Sequence, residues 1–180
     1  MQVVDHALKE YSETLRMWRA KLDRMFNQGE VALAPAVLAG YGRFQHAIGH
    51  HSTFDLPTRE AIALVVASVQ DCGDCHFTRT VACHAAGWTR EQTIALRAGE
   101  QIPYEEKIVA LLAVARQAAG HAGEVDEDTW QCALRIGWTT EELAELFTHV
   151  IADIFSNYFN HGARIGVDIP AVPGLKEAVA

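Results

Sequence analysis

The sequence predicts an all-α fold built from two related helical units, and three observations predict it. Apolar side chains recur at helical spacing along most of the chain, and no segment alternates apolar and polar residues between hairpin turns. The decapeptide GWTREQTIAL at 87–96 returns fifty positions later as GWTTEELAEL at 137–146, each preceded by an apolar run, AIALVVA at 61–67 and IVALLAVA at 108–115.

Each element follows from its own pattern. Val4, Leu8, Tyr11, Leu15, Trp18, Leu22 and Met25 fall on one stripe of a first amphipathic helix, which packs on its own domain or forms a subunit seam. Gln28-Gly29-Glu30 ends it. A second helix is expected from about Pro35 to Ile48, then a turn-like HHSTFDLP. The run TREAIALVVASVQ at 58–70 is apolar on nearly every face, and its length and alanines favour a buried central helix over a strand. Residues 75–86 form the next helix, closed by Gly87. Thr89 and Gln92 have the spacing of a capping box, and further helices are expected at about 104–119, 126–136 and 140–160. The whole reads as a single domain over 1–180: N-terminal helices to residue 50, a first unit over 51–100, a second over 101–165 and a C-terminal tail over 166–180.

With 180 residues, 49% hydrophobic and 21% charged, the chain is long enough to bury a proper core. The formal charge of −8, from 23 acidic against 15 basic side chains with no Lys/Arg block, argues against nucleic acid as a partner. The N-terminal stretch lacks a basic segment followed by an apolar one, and no apolar run approaches the roughly 20 residues that span a bilayer. The chain therefore reads as cytoplasmic and without a membrane partner, a setting that keeps its four cysteines reduced unless a pair is catalytic or metal-bound.

The stretch DCGDCH at 71–76 has three readings: covalent haem attachment, half of a zinc site, or a redox dithiol. Haem is disfavoured, because its axial Met would have to come from Met1, Met17 or Met25. Zinc lacks a second CxxC to supply the other ligand pair. The dithiol has more physics behind it. A Cys in the first turn of a helix meets unpaired N–H groups and the positive dipole end, which favour thiolate. Cys75 has that position, Arg79 one turn on adds a fixed positive charge, and Cys72 lies three residues away to close a disulfide. Two buried inert thiols remain the plain alternative.

The run EAIALVVASVQDCGDCHFTRTVACHAAG at 60–87 resembles the core of the alkylhydroperoxidase D and carboxymuconolactone decarboxylase superfamily. Its redox branch has the pattern E-x11-C-x-x-C-x3-H with a Gly eight positions on, and Glu60, Cys72, Cys75 and Gly87 fall on it in register. A weaker resemblance extends over most of the chain, including NYFNHGARIGVDIPAVPG at 157–174, which is similar to the C-terminal region of peroxidase-related members. The resemblance implies an AhpD-like helical fold, assembly as a homo-oligomer (trimer or hexamer), and thiol peroxidase chemistry without cofactor or metal. It implies Cys75 as peroxidatic cysteine, Cys72 as resolving cysteine, and Glu60 as base of a proton relay. The chain departs from the pattern in two places: the final His is Arg79, and a His that some members carry between the cysteines is Asp74. Arginine cannot shuttle a proton at neutral pH, though it can hold a thiolate. His76, His84, His149 or His161 are the candidate replacements.

Glu60 also poses a geometric problem. On one straight helix it would lie about 18 Å from Cys72, at 1.5 Å per residue. Either the helix breaks near Gln70, a relay intervenes, or Glu60 serves structure. His46, His50 and His51 offer one i, i+4 pair without an acidic third ligand, a weak metal signal. Trp88 and Trp138 read as core anchors of the two units. Asn157, Tyr158, Asn160 and His161 give an apolar helix a polar end that lines a pocket, lines an interface or caps the helix. The expected function is a peroxide-reducing or disulfide-exchanging enzyme acting through Cys72, Cys75, Glu60, Arg79 and His76, with a peroxide or other small-molecule substrate and an external dithiol reductant. The alternatives are a decarboxylase-like or small-molecule-binding protein of the same fold whose cysteines are incidental, and a metal-binding module.

Overall fold

Helix α2 (Leu56–Val69) organises the structure, because its seven consecutive residues Ala61–Ala67 are all buried. The computed structural model describes residues 35–70, 73–103 and 105–162, without the side chains of residues 35, 37, 38, 73–75, 77 and 159–162. The first predicted helix, the tail over 166–180 and Cys72 lie outside the described residues. The chain divides into two compact units, one of residues 50–166 and one of residues 1–49 with 167–180. From the latter comes most of α1 (Pro35–His51), which starts on Pro35, where a missing N–H costs nothing, and runs three residues beyond its expected end.

The unit of residues 50–166 consists of α2, α3 (Gly73–Ala85), α4 (Arg90–Ala98), α5 (Glu106–Gly120), α6 (Glu127–Ile136) and α7 (Thr140–Gly162), and no strand occurs among the described residues. Helix α2 packs against α3, α4, α5 and α7. Such surroundings explain why its sequence is apolar on every face, each buried Val, Leu or Ile contributing about 1.5–3 kcal/mol. Asp55 starts the helix by accepting the Thr58 amide at 3.0 Å, which holds the Asp55 carboxyl below the usual range. The helix ends at Val69 with Gln70 as its C-cap, where one of the three readings of Glu60 put a break.

The predicted duplication is visible in matched hydrogen bonds. Trp88 Nε1 donates to Pro57 O at 2.9 Å, and Trp138 Nε1 donates to Lys107 O at 2.6 Å, each reaching 31 residues back to the first turn of its unit's buried helix. Gly87 and Gly137 close α3 and α6 with φ of 107° and 108°, a conformation that disfavours any Cβ. Thr89 with Gln92 and Thr139 with Glu142 form reciprocal caps on α4 and α7. In this register Cys132 falls opposite Ala82, and the second unit has no counterpart of the dithiol. Gly99, at φ 74°, ends α4 where Arg116 of α5 packs, its Nε 3.0 Å from the place a Cβ would occupy. Arg116 Nη2 donates to Leu96 O and Arg97 O at 2.7 and 3.0 Å, so α5 caps α4.

Both tryptophans are 8% exposed, and each finds a backbone carbonyl for an indole N–H that would otherwise be buried without a partner. Trp88→Phe and Trp138→Phe are each expected to lower unfolding free energy by about 1–3 kcal/mol. Trp138 should cost the more, because Phe54 packs edge-on against it at 5.7 Å and Lys107 Nζ sits over its ring at 4.3 Å. Denaturant titration measures this, and a change within error of zero at both positions would refute the shared anchoring role.

Candidate functional site

The local sequence folds α3 back antiparallel to α2, which sets Glu60 beside Arg79 and Cys83. His76 Nε2 donates to Ala67 O at 2.8 Å, and two turns on Cys83 Sγ donates to Glu60 O at 3.2 Å. Between these contacts, Arg79 Nη1 reaches Glu60 Oε2 at 3.4 Å. Glu60 therefore meets the family position occupied here by Arg79 across the helix pair, not along its own helix. Arg79 Nη2 reaches further, to Asp153 Oδ1 on α7 at 2.8 Å. One guanidinium thus joins three helices through two carboxylates.

Asp153 was not foreseen from the sequence. The signal was present in VIADIF at 150–155, where one carboxylate interrupts an apolar helix and so demands a buried partner. Burial pushes the Asp153 carboxyl up to about 6, with Arg79 opposing the shift and Glu60 adding to it. The same surroundings push the Cys83 thiol up to about 12, chiefly through burial and secondarily through the charge of Glu60, against the pull of Arg79. Cys83 is thus a packed, neutral thiol, as its fully buried counterpart Ala133 suggests.

The other candidates are dispersed. Cys75 lies in the first turn of α3, one turn before Arg79, with its side chain outside the described residues. Among the candidate replacement histidines, His84 Nε2 meets Thr93 Oγ1 at 3.1 Å, and burial lowers its pKa. The His161 side chain lies outside the described residues. His149 belongs to a second polar cluster one turn before Asp153. There Ser52 Oγ donates to Glu145 Oε1 at 2.6 Å, and the Thr53 amide and hydroxyl donate to the same carboxylate at 2.9 and 2.7 Å. Because the Ser52 proton is spent on Glu145, His149 Nε2 donates to Ser52 Oγ at 3.1 Å. Burial lowers the His149 pKa, and it raises that of Glu145 less than the hydrogen bonds lower it. This cluster clamps the segment before α2 onto α7. Among the described residues no three His, Cys, Asp or Glu side chains are placed to hold a metal ion, and no helix is long and apolar enough to cross a membrane.

Residues 35–117 match the carboxymuconolactone decarboxylase family, a span that contains Glu60, Cys72, Cys75 and Arg79. The match covers somewhat under half of the chain, over the same run that carries the resemblance read from the sequence. Its fold is similar to that of the debrominase Bmp8, solved as a cysteine-to-alanine variant with 2,3,4-tribromopyrrole, at 18% identity and a TM-score of 0.69 over 82% of this chain and 79% of that one. It is also similar to an uncharacterised peroxidase-related protein from Silicibacter sp. TM1040, at 14% identity and a TM-score of 0.66 over 89% of this chain and 88% of that one. No curated protein matches the chain.

Two expected outcomes follow from these environments. In the folded protein Asp153 binds its proton more tightly than in the unfolded chain, whose value is near 3.8. Its contribution to stability is full below about pH 4 and is lost as pH rises through about 6. Relative to Asp153→Asn, the wild type should therefore lose about 1.4 kcal/mol between about pH 5 and pH 7.5, one unit of the roughly two-unit shift falling in that window. Denaturant titrations of both proteins at the two pH values check it, and a pH-independent difference contradicts it. Separately, iodoacetamide should leave Cys83 unmodified in the native protein while labelling half-buried Cys132. Peptide mass spectrometry with equal labelling of the two would show the Cys83 assignment to be wrong.

Proposed function

We propose that the protein is a thiol-dependent enzyme that reduces a hydroperoxide through Cys75 and Cys72. The observation that supports it is the fixed cation beside the dithiol helix: α3 begins at Gly73, Cys75 lies in its first turn, and Arg79 one turn later is held by Glu60 and Asp153. Helix N-terminus and guanidinium both favour thiolate over thiol. The match of residues 35–117 to the carboxymuconolactone decarboxylase family supports the same reading.

In the first step the Cys75 thiolate attacks one peroxide oxygen. An S–O bond forms, the O–O bond breaks, sulfur is oxidised to sulfenic acid, and alkoxide leaves to take a proton from solvent. Cys72 thiolate then attacks the Cys75 sulfur, forming the disulfide and releasing hydroxide, which is protonated to water. An external dithiol reduces the disulfide by two exchange steps and leaves as its own disulfide. Glu60 and Asp153 position Arg79, and neither needs to move a proton for the steps to balance.

Turnover of an organic hydroperoxide with a dithiol reductant tests the proposal. Cys75→Ser should lose at least about a thousandfold in kcat/KM, in line with removal of a nucleophile. Cys72→Ser should complete one turnover and accumulate a sulfenic acid that dimedone traps. Full hydroperoxide activity in Cys75→Ser would end the proposal.

A further inference from the structure

Asn157 is a buried polar group that neither the fold nor the proposed chemistry employs. It is 4% exposed, and its Nδ2 has no hydrogen-bond partner. An amide donor buried alone carries a penalty of about 1–3 kcal/mol, and native structures keep such a group where it does something else.

The contacts of α7 give the level of Asn157 in the bundle. His149 lies against Ser52 and Phe54, just before α2 begins, at 3.1 Å from the serine hydroxyl and 5.3 Å between rings. Asp153, one turn on, is at the level of Arg79 and Glu60. Helix α7 thus advances in the same direction as α2. Helix α3 runs the other way, with Cys83 and Arg79 at Glu60 and His76 at Ala67. A further turn along α7, about 6 Å at 1.5 Å per residue, brings Asn157 to the level of the α3 turn that carries Cys75 and His76.

We infer that Asn157 is a substrate-binding residue whose amide donates a hydrogen bond to an uncharged acceptor oxygen, the peroxide oxygen that departs when Cys75 attacks its neighbour. The inference rests on the proposed function and deepens it by naming a substrate class. Arg79 is shared by two carboxylates, so an anionic peroxide group would meet their negative charge beside the guanidinium. A neutral hydroperoxide meets no such obstacle. Its leaving oxygen gains negative charge only as the O–O bond breaks, when a preorganised donor gains strength. The donor stays on Asn157 throughout, and the proton of the product alcohol comes from solvent.

The test is steady-state reduction of tert-butyl hydroperoxide by wild type, Asn157→Leu and Asn157→Ala, beside the reaction of each reduced protein with an aromatic disulfide. The disulfide reports thiolate reactivity and contains no peroxide oxygen. Both variants should keep or exceed the wild-type melting temperature, since an unpaired donor is removed. Their kcat/KM for the hydroperoxide should fall at least tenfold, toward the hundredfold of a lost oxyanion donor, with the aromatic-disulfide rate unchanged. Wild-type kcat/KM in both variants, equal losses with both reagents, or loss of folding in both variants would overturn the inference while leaving the proposed function standing. A wild type that reduces no hydroperoxide would instead remove the proposed function, and this inference with it.

Discussion

The arrangement depends on one guanidinium shared by two carboxylates. Arg79 on α3 meets Glu60 on α2 and Asp153 on α7, and the three groups are 28%, 20% and 12% exposed. Charges that far from water are costly unless paired, and removing one partner costs more than the pair gains. The three helices are thereby held in one register. A slip of α3 along α2 by a single turn would leave Asp153 buried without its cation, so the network selects the register that brings the first turn of α3, with Cys75, to the level it occupies. Its value lies more in specifying that register than in net stability.

The duplicated frame shows which parts of the unit are structural. Both units keep the buried helix, the left-handed glycine, the Thr cap and the tryptophan that reaches a carbonyl 31 residues earlier. At the offset of fifty, Glu60, Arg79 and Cys83 are answered by Ala110, Thr129 and Ala133. A scaffold that folds with alanines and a threonine at these positions does not need an ion pair there. The charged set of the first unit is therefore an addition to the frame, and its third member, Asp153, is supplied by the last helix of the second unit. Packing of α7 on α2 completes the set.

The helices and the duplication were legible because they rest on local rules. Gly87, the Thr89/Gln92 cap and the apolar continuity of 61–67 each act within a few residues of themselves, and all appear where the sequence puts them. Glu60 was legible as a site residue only through family register, and its geometry was not, because reasoning along one helix missed the return of α3. Asp153 lies 74 positions from Arg79, and no local pattern pairs them. The sequence carried only the anomaly of a carboxylate in VIADIF.

The replacement of the family histidine by Arg79 alters how such a site responds to pH. A histidine there would change its charge near pH 6.5, so the cation and the proton carrier would be one group. Arginine keeps its charge at every relevant pH. The titrating group of this network is instead Asp153, whose burial brings it to about 6, on the far side of Arg79 from Glu60. Above that pH the guanidinium faces an ionised Asp153; below it Asp153 is neutral, and more of the guanidinium's field is available to a neighbouring thiolate. The pH dependence that a histidine would build into the α3 turn next to the dithiol is thus moved one helix away, onto a residue that touches the cation.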